Sequence, residues 1–244
     1  MKKFIVFFLT LTFISISTKA QDELEKEMFK TNKGDLSIIF AGHGSLIFEF
    51  QNKMIYVDPS SSSGVNYEGF TKADIVLITH NHGDHLDLKT LNLISTSETK
   101  YLSNASSFEK LKKGTVIGNG QAINLDNILI EAVPAYNTKH KRNSGQPYHA
   151  KGDGNGYVLN FGNKRVYVAG DTENVPEMAN LKNIDIAFLP MNVPYTMTPV
   201  MAADAALMFN PKVLYPYHYR GTDPLQLKEL LRDHSEIEVK IKKM

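Results

Sequence analysis

Seven residues, Thr79-His80-Asn81-His82-Gly83-Asp84-His85, constrain this chain more than any other stretch. Three imidazoles and one carboxylate follow an apolar run, Asp74 to Ile78, that reads as a buried strand. The residues after them, Asp87 to Ile94, read as a short amphipathic helix capped by Asp87. The motif therefore falls on a strand-to-helix loop, where α/β folds carry their chemistry. His80 and His82 lie two apart in extended backbone and can point the same way. A turn through Gly83 is expected to aim Asp84 and His85 elsewhere. Two ligand pairs would then face two adjacent sites. Imidazole and carboxylate without thiolate suit zinc, iron or manganese at a catalytic centre.

The chain has 244 residues, enough for one large α/β domain with a substantial core. Lys and Arg total 27 against 26 Asp and Glu, so no global charge draws it to nucleic acid or an anionic membrane. There is no cysteine, which excludes disulfides and thiolate ligands. A basic start at Lys2-Lys3, an apolar stretch from Phe4 to Ile16 and small residues at Thr18 and Ala20 read as a signal peptide over residues 1–20. The expected mature chain, 21–244, is a single exported domain, periplasmic or secreted, without a stable membrane anchor. The apolar stretch read as an uncleaved anchor is the alternative.

The rest of the chain reads as short strands at 36–40, 45–50 and 54–57, then the motif and a strand-helix pair at 100–102 and 105–112. Further strands are expected at 115–117, 121–123 and 128–133. A long loop covers 134–156, and a hairpin joins 157–161 to 165–169. The last third alternates: helix 175–181, strand 184–189, a helix from Pro199 to Phe209 capped by Thr198, strand 213–215, a helix ending near Arg232, and strand 238–241. Residues 21–33 read as an arm or an edge segment.

The motif resembles the H-x-H-x-D-H signature of the metallo-β-lactamase fold. The resemblance extends over about residues 35–220 and implies an αββα four-layer sandwich. The elements Gly42-His43-Gly44-Ser45, Asp58-Pro59, Gly170-Asp171-Thr172 and Tyr217-His218-Tyr219 resemble the ascorbate-phosphate lactonase-like and N-acyl-phosphatidylethanolamine phospholipase D-like branch. It implies two divalent metal ions, with Asp171 bridging them and His218 as the final imidazole ligand. Asp171 read alone could instead cap a helix. Zinc is the expected ion, with manganese or iron as alternatives.

One departure stands out. The family's third imidazole for the first metal follows a V-P-A-x-H pattern, and here Val133-Pro134-Ala135-Tyr136 is followed by Asn137. His149, beside Gly152, Gly154 and Gly156, is the expected substitute, with His140 second; Asn137 itself, or no residue, are the remaining options. Asp58 is suited to hold a ligand histidine through its second nitrogen. His43, Lys151, Tyr195, Tyr219 and Arg220 are candidate substrate contacts.

The expected function is a metal-dependent hydrolase that attacks an ester, lactone, amide or phosphodiester with a hydroxide held at the metals, Asp84 handling the proton. A non-catalytic metal-binding envelope protein is the alternative. A two-iron oxidoreductase is disfavoured, because Asn81-His82 stands where an H-x-E-x-D pattern would place an acid. The expected partner is a small-molecule substrate.

Overall fold

A computed structural model describes Gln21 and residues 23–244. The proposed signal peptide, residues 1–20, lies outside the described residues. Two seven-stranded sheets lie face to face, each with its strands in sequence order. The first contains β1 (Lys26–Thr31), β2 (Gly34–Phe40), β3 (Leu46–Phe50), β4 (Lys53–Val57), β5 (Ile75–Ile78), β6 (Lys100–Ser103) and β7 (Thr115–Val116). The second contains β8 (Ala122–Leu125), β9 (Ile128–Ala135), β10 (Gly154–Phe161), β11 (Lys164–Val168), β12 (Ile186–Pro190), β13 (Val213–Tyr217) and β14 (Glu238–Val239). In each sheet the first four strands are antiparallel and the last pairings parallel, so the two halves of the chain repeat one plan.

The layers follow from the period of two along buried strands. Ile55, Val57, Ile75 and Leu77 meet Val166, Val168, Ile186 and Phe188 in the core between the sheets. Their neighbours point outward. Tyr56, Val76 and Ile78 pack against α1 (Leu88–Ile94) and α2 (Ala105–Leu111) through Leu91, Ile94 and Leu111. Tyr167, Ala187 and Leu189 pack against α3 (Pro199–Phe209) and α4 (Leu225–Leu230) through Met201, Ala205, Phe209 and Leu227. Strands covered on both faces must be apolar throughout, which is why β5 and β12 read as unbroken runs. This is the expected αββα order.

The caps behave as the sequence implies. Asp87 accepts from the backbone N–H of Lys89 and Thr90, and Thr198 accepts from that of Met201 with Pro199 at the first helical position. Of the arm and the edge segment expected for residues 21–33, the structure has the second: residues 26–31 form an edge strand against β2. Two segments differ. The 175–181 segment is a 3₁₀ turn over Pro176–Asn180, too short for an α-helix. The long loop is narrower, 136–153, because Gly154 and Gly156 enter the ladder of β10. A Cβ at Gly154 would lie 2.6 Å from the Ala135 carbonyl oxygen, so only glycine allows that pairing.

Candidate metal centre

The expected site residues gather at the carboxyl ends of the strands, where the two sheets open. β2 leads to His43, β4 to Asp58, β5 to the histidine motif, β9 to Asn137, β11 to Asp171 and β13 to His218. This is the end of a parallel arrangement where ligands bind in α/β proteins. His43, Asp58 and His218 all adopt left-handed backbone, with φ of 51°, 47° and 46°. Strain of this kind in non-glycine residues collects at functional sites. The rings of His43 and His218 lie 3.8 Å apart between centroids, and the His218 N–H donates to the His43 carbonyl at 2.8 Å.

Two clusters of ligand atoms share one carboxylate. In the first, His82 Nδ1 lies 3.1 Å from His80 Nε2 and 3.2 Å from His149 Nε2. Asp171 Oδ2 closes this cluster, 3.4 Å from His149 Nε2 and 3.9 Å from His80 Nε2. In the second, Asp171 Oδ1 lies 3.4 Å from His85 Nε2 and 3.5 Å from His218 Nε2. Asp84 Oδ2 completes it, 3.5 Å from His218 Nε2, 3.8 Å from His85 Nε2 and 3.1 Å from His43 Nε2.

Hydrogen bonds behind the rings fix which nitrogen faces each cluster. The Thr79 hydroxyl donates to Asp58 Oδ2 at 2.6 Å, so it accepts from His80 Nδ1–H at 3.0 Å. Asp58 Oδ2 also accepts from His85 Nδ1–H at 2.8 Å, while its Oδ1 accepts from the Thr79 backbone N–H. Fully buried Asp58 thus holds His85 directly and His80 through Thr79. Asn137 Oδ1 accepts from both the backbone N–H and the Nδ1–H of His149, each at 2.8 Å. In all three rings Nδ1 is engaged, and Nε2 is the nitrogen aimed into the site.

These nitrogens converge where no group among the described residues satisfies them together. His85 Nε2, His218 Nε2 and Asp171 Oδ1 are buried without a hydrogen-bond partner among the described residues. His80 and His149 Nε2 both face the single His82 Nδ1, which can donate to only one. Buried acceptors arranged this way repel each other unless a cation sits between them. The donor set, imidazole and carboxylate oxygen, fits divalent zinc, iron or manganese.

The electrostatics agree. Burial alone would raise the Asp171 carboxyl, but the four surrounding imidazoles hold it well below the carboxylate range. Burial opposes ionisation of Asp84 too, and the imidazole of His218 close by, the hydrogen bond from His43 and the charge of His85 outweigh it. Burial drives His80 well down and pushes His149 down to about 4 against the pull of Asp171, so both rings stay neutral as ligands must. His85 differs: burial would lower it, yet Asp171, Asp58 and Asp84 together raise it to about 9. A cation entering the second cluster takes the place of that proton.

Some expectations did not hold. His140 does not reach the clusters; its Nδ1 lies 2.7 Å from Glu173 Oε1. Lys151 pairs with Glu177, and the Tyr219 hydroxyl donates to the Lys242 carbonyl, so neither lines the cleft. Gly83 keeps an ordinary φ, and a Cβ there would meet nothing within 4 Å. The turn it was expected to make is a helical one closed by His85 N–H and Leu86 N–H on the His82 carbonyl. Gly44 carries the steric requirement instead: its Cβ would lie 2.9 Å from His85 Cε1 and 3.2 Å from His218 Cδ2.

Two contributors escaped the sequence reading. Fully buried Glu173 accepts from the backbone N–H groups of Thr138, Lys139 and His140 at 2.6 to 2.7 Å and from Asn137 Nδ2 at 3.2 Å. It anchors the loop that presents Asn137 to His149, and those donors hold its carboxyl at about 2 although burial opposes ionisation. Its position two residues past Asp171 was the available signal. Arg142, in the long loop, lines the cleft beside Tyr148, Tyr195 and Arg220. That cleft, of about 610 Å³, opens over both clusters, and Asp84 is 37% exposed to it.

Comparison with known proteins places this geometry. A family model described as a beta-lactamase superfamily domain matches residues 37–218. A UPF0173 metal-dependent hydrolase of Pyrococcus horikoshii is 30% identical over 219 residues, covering 83% of this chain and 95% of the relative. The crystal structure of a candidate metal-dependent hydrolase from Parabacteroides distasonis is 49% identical, covers 91% of this chain and 99% of its own, and superposes with a TM-score of 0.86. Igni18, a metallo hydrolase of Ignicoccus hospitalis, shares the fold at 24% identity, with a TM-score of 0.72 and 85% and 95% of the two chains covered. The chain belongs to the beta-lactamase superfamily and, within it, to the UPF0173 metal-dependent hydrolases.

Proposed function

We infer that this protein is a dinuclear, zinc-dependent hydrolase of an ester, lactone, amide or phosphodiester. One observation carries the reading: the two oxygens of Asp171 face different imidazole clusters, Oδ2 toward His80 and His149 and Oδ1 toward His85 and His218. His80, His82 and His149 would hold one ion, and Asp84, His85 and His218 the other, with Asp171 between them. Two divalent cations supply water acidic enough to attack at neutral pH and a positive field for the developing oxyanion.

The chain's own groups complete the chemistry. Asp84 Oδ2, exposed to the cleft, takes the proton of the attacking water. His43, donating to that oxygen at 3.1 Å, keeps the carboxylate turned into the site. Asp58, Thr79 and Asn137 lock the rings, so no reorientation is needed during reaction. An open cleft over both clusters favours turnover, since a protein that only scavenges metal needs no room for a substrate.

The test is a panel of ester, lactone, amide and phosphodiester substrates run with zinc-loaded and chelator-stripped protein. Turnover that vanishes on stripping and returns with two equivalents of zinc supports the reading. Metal uptake without hydrolysis of any class supports the scavenging alternative.

A further inference from the structure

The geometry points to a substrate that carries a carboxylate or phosphate group away from its scissile bond, held by Arg142 and Arg220. This rests on the hydrolase reading above. The chain has four arginines. Arg165 and Arg232 lie outside the cleft, and each pairs with a glutamate, Glu131 and Glu229. Arg142 and Arg220 line the cleft, and neither pairs with a carboxylate among the described residues. Each guanidinium makes a single hydrogen bond among the described residues, Arg142 to the Tyr148 carbonyl at 3.4 Å and Arg220 to the Ser62 carbonyl at 3.2 Å. A guanidinium has five N–H donors in a fork suited to an oxyanion, so most of that capacity is unused among the described residues, on two exposed side chains at the wall of the cleft.

The two arginines flank the two clusters. Arg220 follows His218 by two residues, and Arg142 lies on the loop that delivers His149, close enough to bias His82. Arg142 is also held in place, stacked 5.0 Å over the Tyr148 ring, which Tyr195 buttresses edge-on at 5.0 Å. A stacked guanidinium loses less freedom on meeting an anion than a loose lysine would. The carboxylates lining the cleft are Asp84 and Asp171, both members of the clusters. Two divalent ions carry more charge than those two carboxylates cancel. With both ions bound the cleft would carry net positive charge, although the chain as a whole is nearly neutral at +1. A cationic substrate would be repelled, and a neutral one would leave both arginines idle.

Matched esters test this. The monoester 4-nitrophenyl hydrogen glutarate and its neutral counterpart 4-nitrophenyl pentanoate share leaving group and acyl length. With zinc-loaded protein at low salt, kcat/KM should favour the glutarate ester at least tenfold. Arg142→Gln and Arg220→Gln should each cut that preference about threefold to tenfold, whereas Arg232→Gln leaves it unchanged. Equal rates for the two esters, or a preference that survives both cleft substitutions, overturn the proposal. Calorimetric binding of glutarate and of inorganic phosphate to the same preparations decides the matter if neither ester is cleaved. Binding about tenfold weaker in the arginine variants supports the anion site, and the tighter of the two ligands names its chemistry. Binding indifferent to both arginines overturns it. Arginine-dependent binding without cleavage of either ester would support the anion site and count only against an ester as the scissile bond.

Discussion

Asn137 receives two hydrogen bonds from His149, one from the backbone N–H and one from ring Nδ1, both at 2.8 Å on the same oxygen. The side chain that stands where the family pattern puts an imidazole thus fixes the imidazole that arrives twelve residues later. We predict that Asn137→Ala lowers retention of one of two metal ions and reduces hydrolysis about 10–100-fold, the range for groups that hold a ligand from behind. His149→Ala should remove that ion and cost more. Elemental analysis after dialysis reads both, and full occupancy in His149→Ala would contradict the assignment.

His140 gives the matching negative. Its ring touches Glu173 and no member of either cluster. His140→Ala should keep two ions per chain and lose about 1 kcal/mol of stability for the missing hydrogen bond. Loss of an ion in this variant would show that the loop has a different arrangement in solution.

Gly44 tests the second cluster by shape alone. A methyl group 2.9 Å from His85 Cε1 and 3.2 Å from His218 Cδ2 must displace one ring. Gly44→Ala is expected to fold with unchanged far-ultraviolet dichroism, yet to bind the second ion at least tenfold more weakly. A variant with two tightly held ions would show that the rings are not where they stand here.

Glu173 gives a pH dependence. Its carboxyl sits near 2 in the folded chain against an ordinary 4.5, so its charge stabilises the fold fully above about 4.5. That contribution fades as pH falls from about 4.5 toward 2. Glu173→Gln should therefore lower the melting temperature clearly at pH 7, by about 1–3 kcal/mol in stability, and the gap from the parent should shrink at pH 3. A gap that stays constant or widens in acid would contradict the role of the charge.

Export is a separate expectation, since residues 1–20 lie outside the described structure. From the basic start, apolar centre and Ala20 we propose that the mature protein begins at Gln21. N-terminal sequencing of protein from the native host should begin there, and an intact Met1 would refute it.

The sheets and helices were legible in the sequence because apolar runs and capping residues such as Asp87 and Thr198 act locally. The motif was legible from its spacing after a buried strand, and Asp171 and His218 from the resemblance to the metallo-β-lactamase fold, since each alone at a strand end could be structural. The choice of His149 over His140 could be made from nearby glycines, although Gly154 and Gly156 turned out to serve strand pairing. The place of Glu173, two residues past Asp171, was legible but its role was not, because most of its donors are backbone N–H groups, which every sequence has. Arg142 stayed hidden for a related reason: what distinguishes it is the absence of a carboxylate partner, a property of the packed molecule. Gly83 misled because a glycine in a turn need not use its freedom.

The central claim is that one carboxylate, Asp171, joins two adjacent metal sites. Anomalous diffraction at the zinc edge from zinc-loaded crystals tests it most directly. The account predicts two peaks about 3.5–4 Å apart, one among His80, His82 and His149, the other among Asp84, His85 and His218, with Asp171 contacting both. A single peak in fully loaded crystals, or two peaks without Asp171 between them, would contradict it.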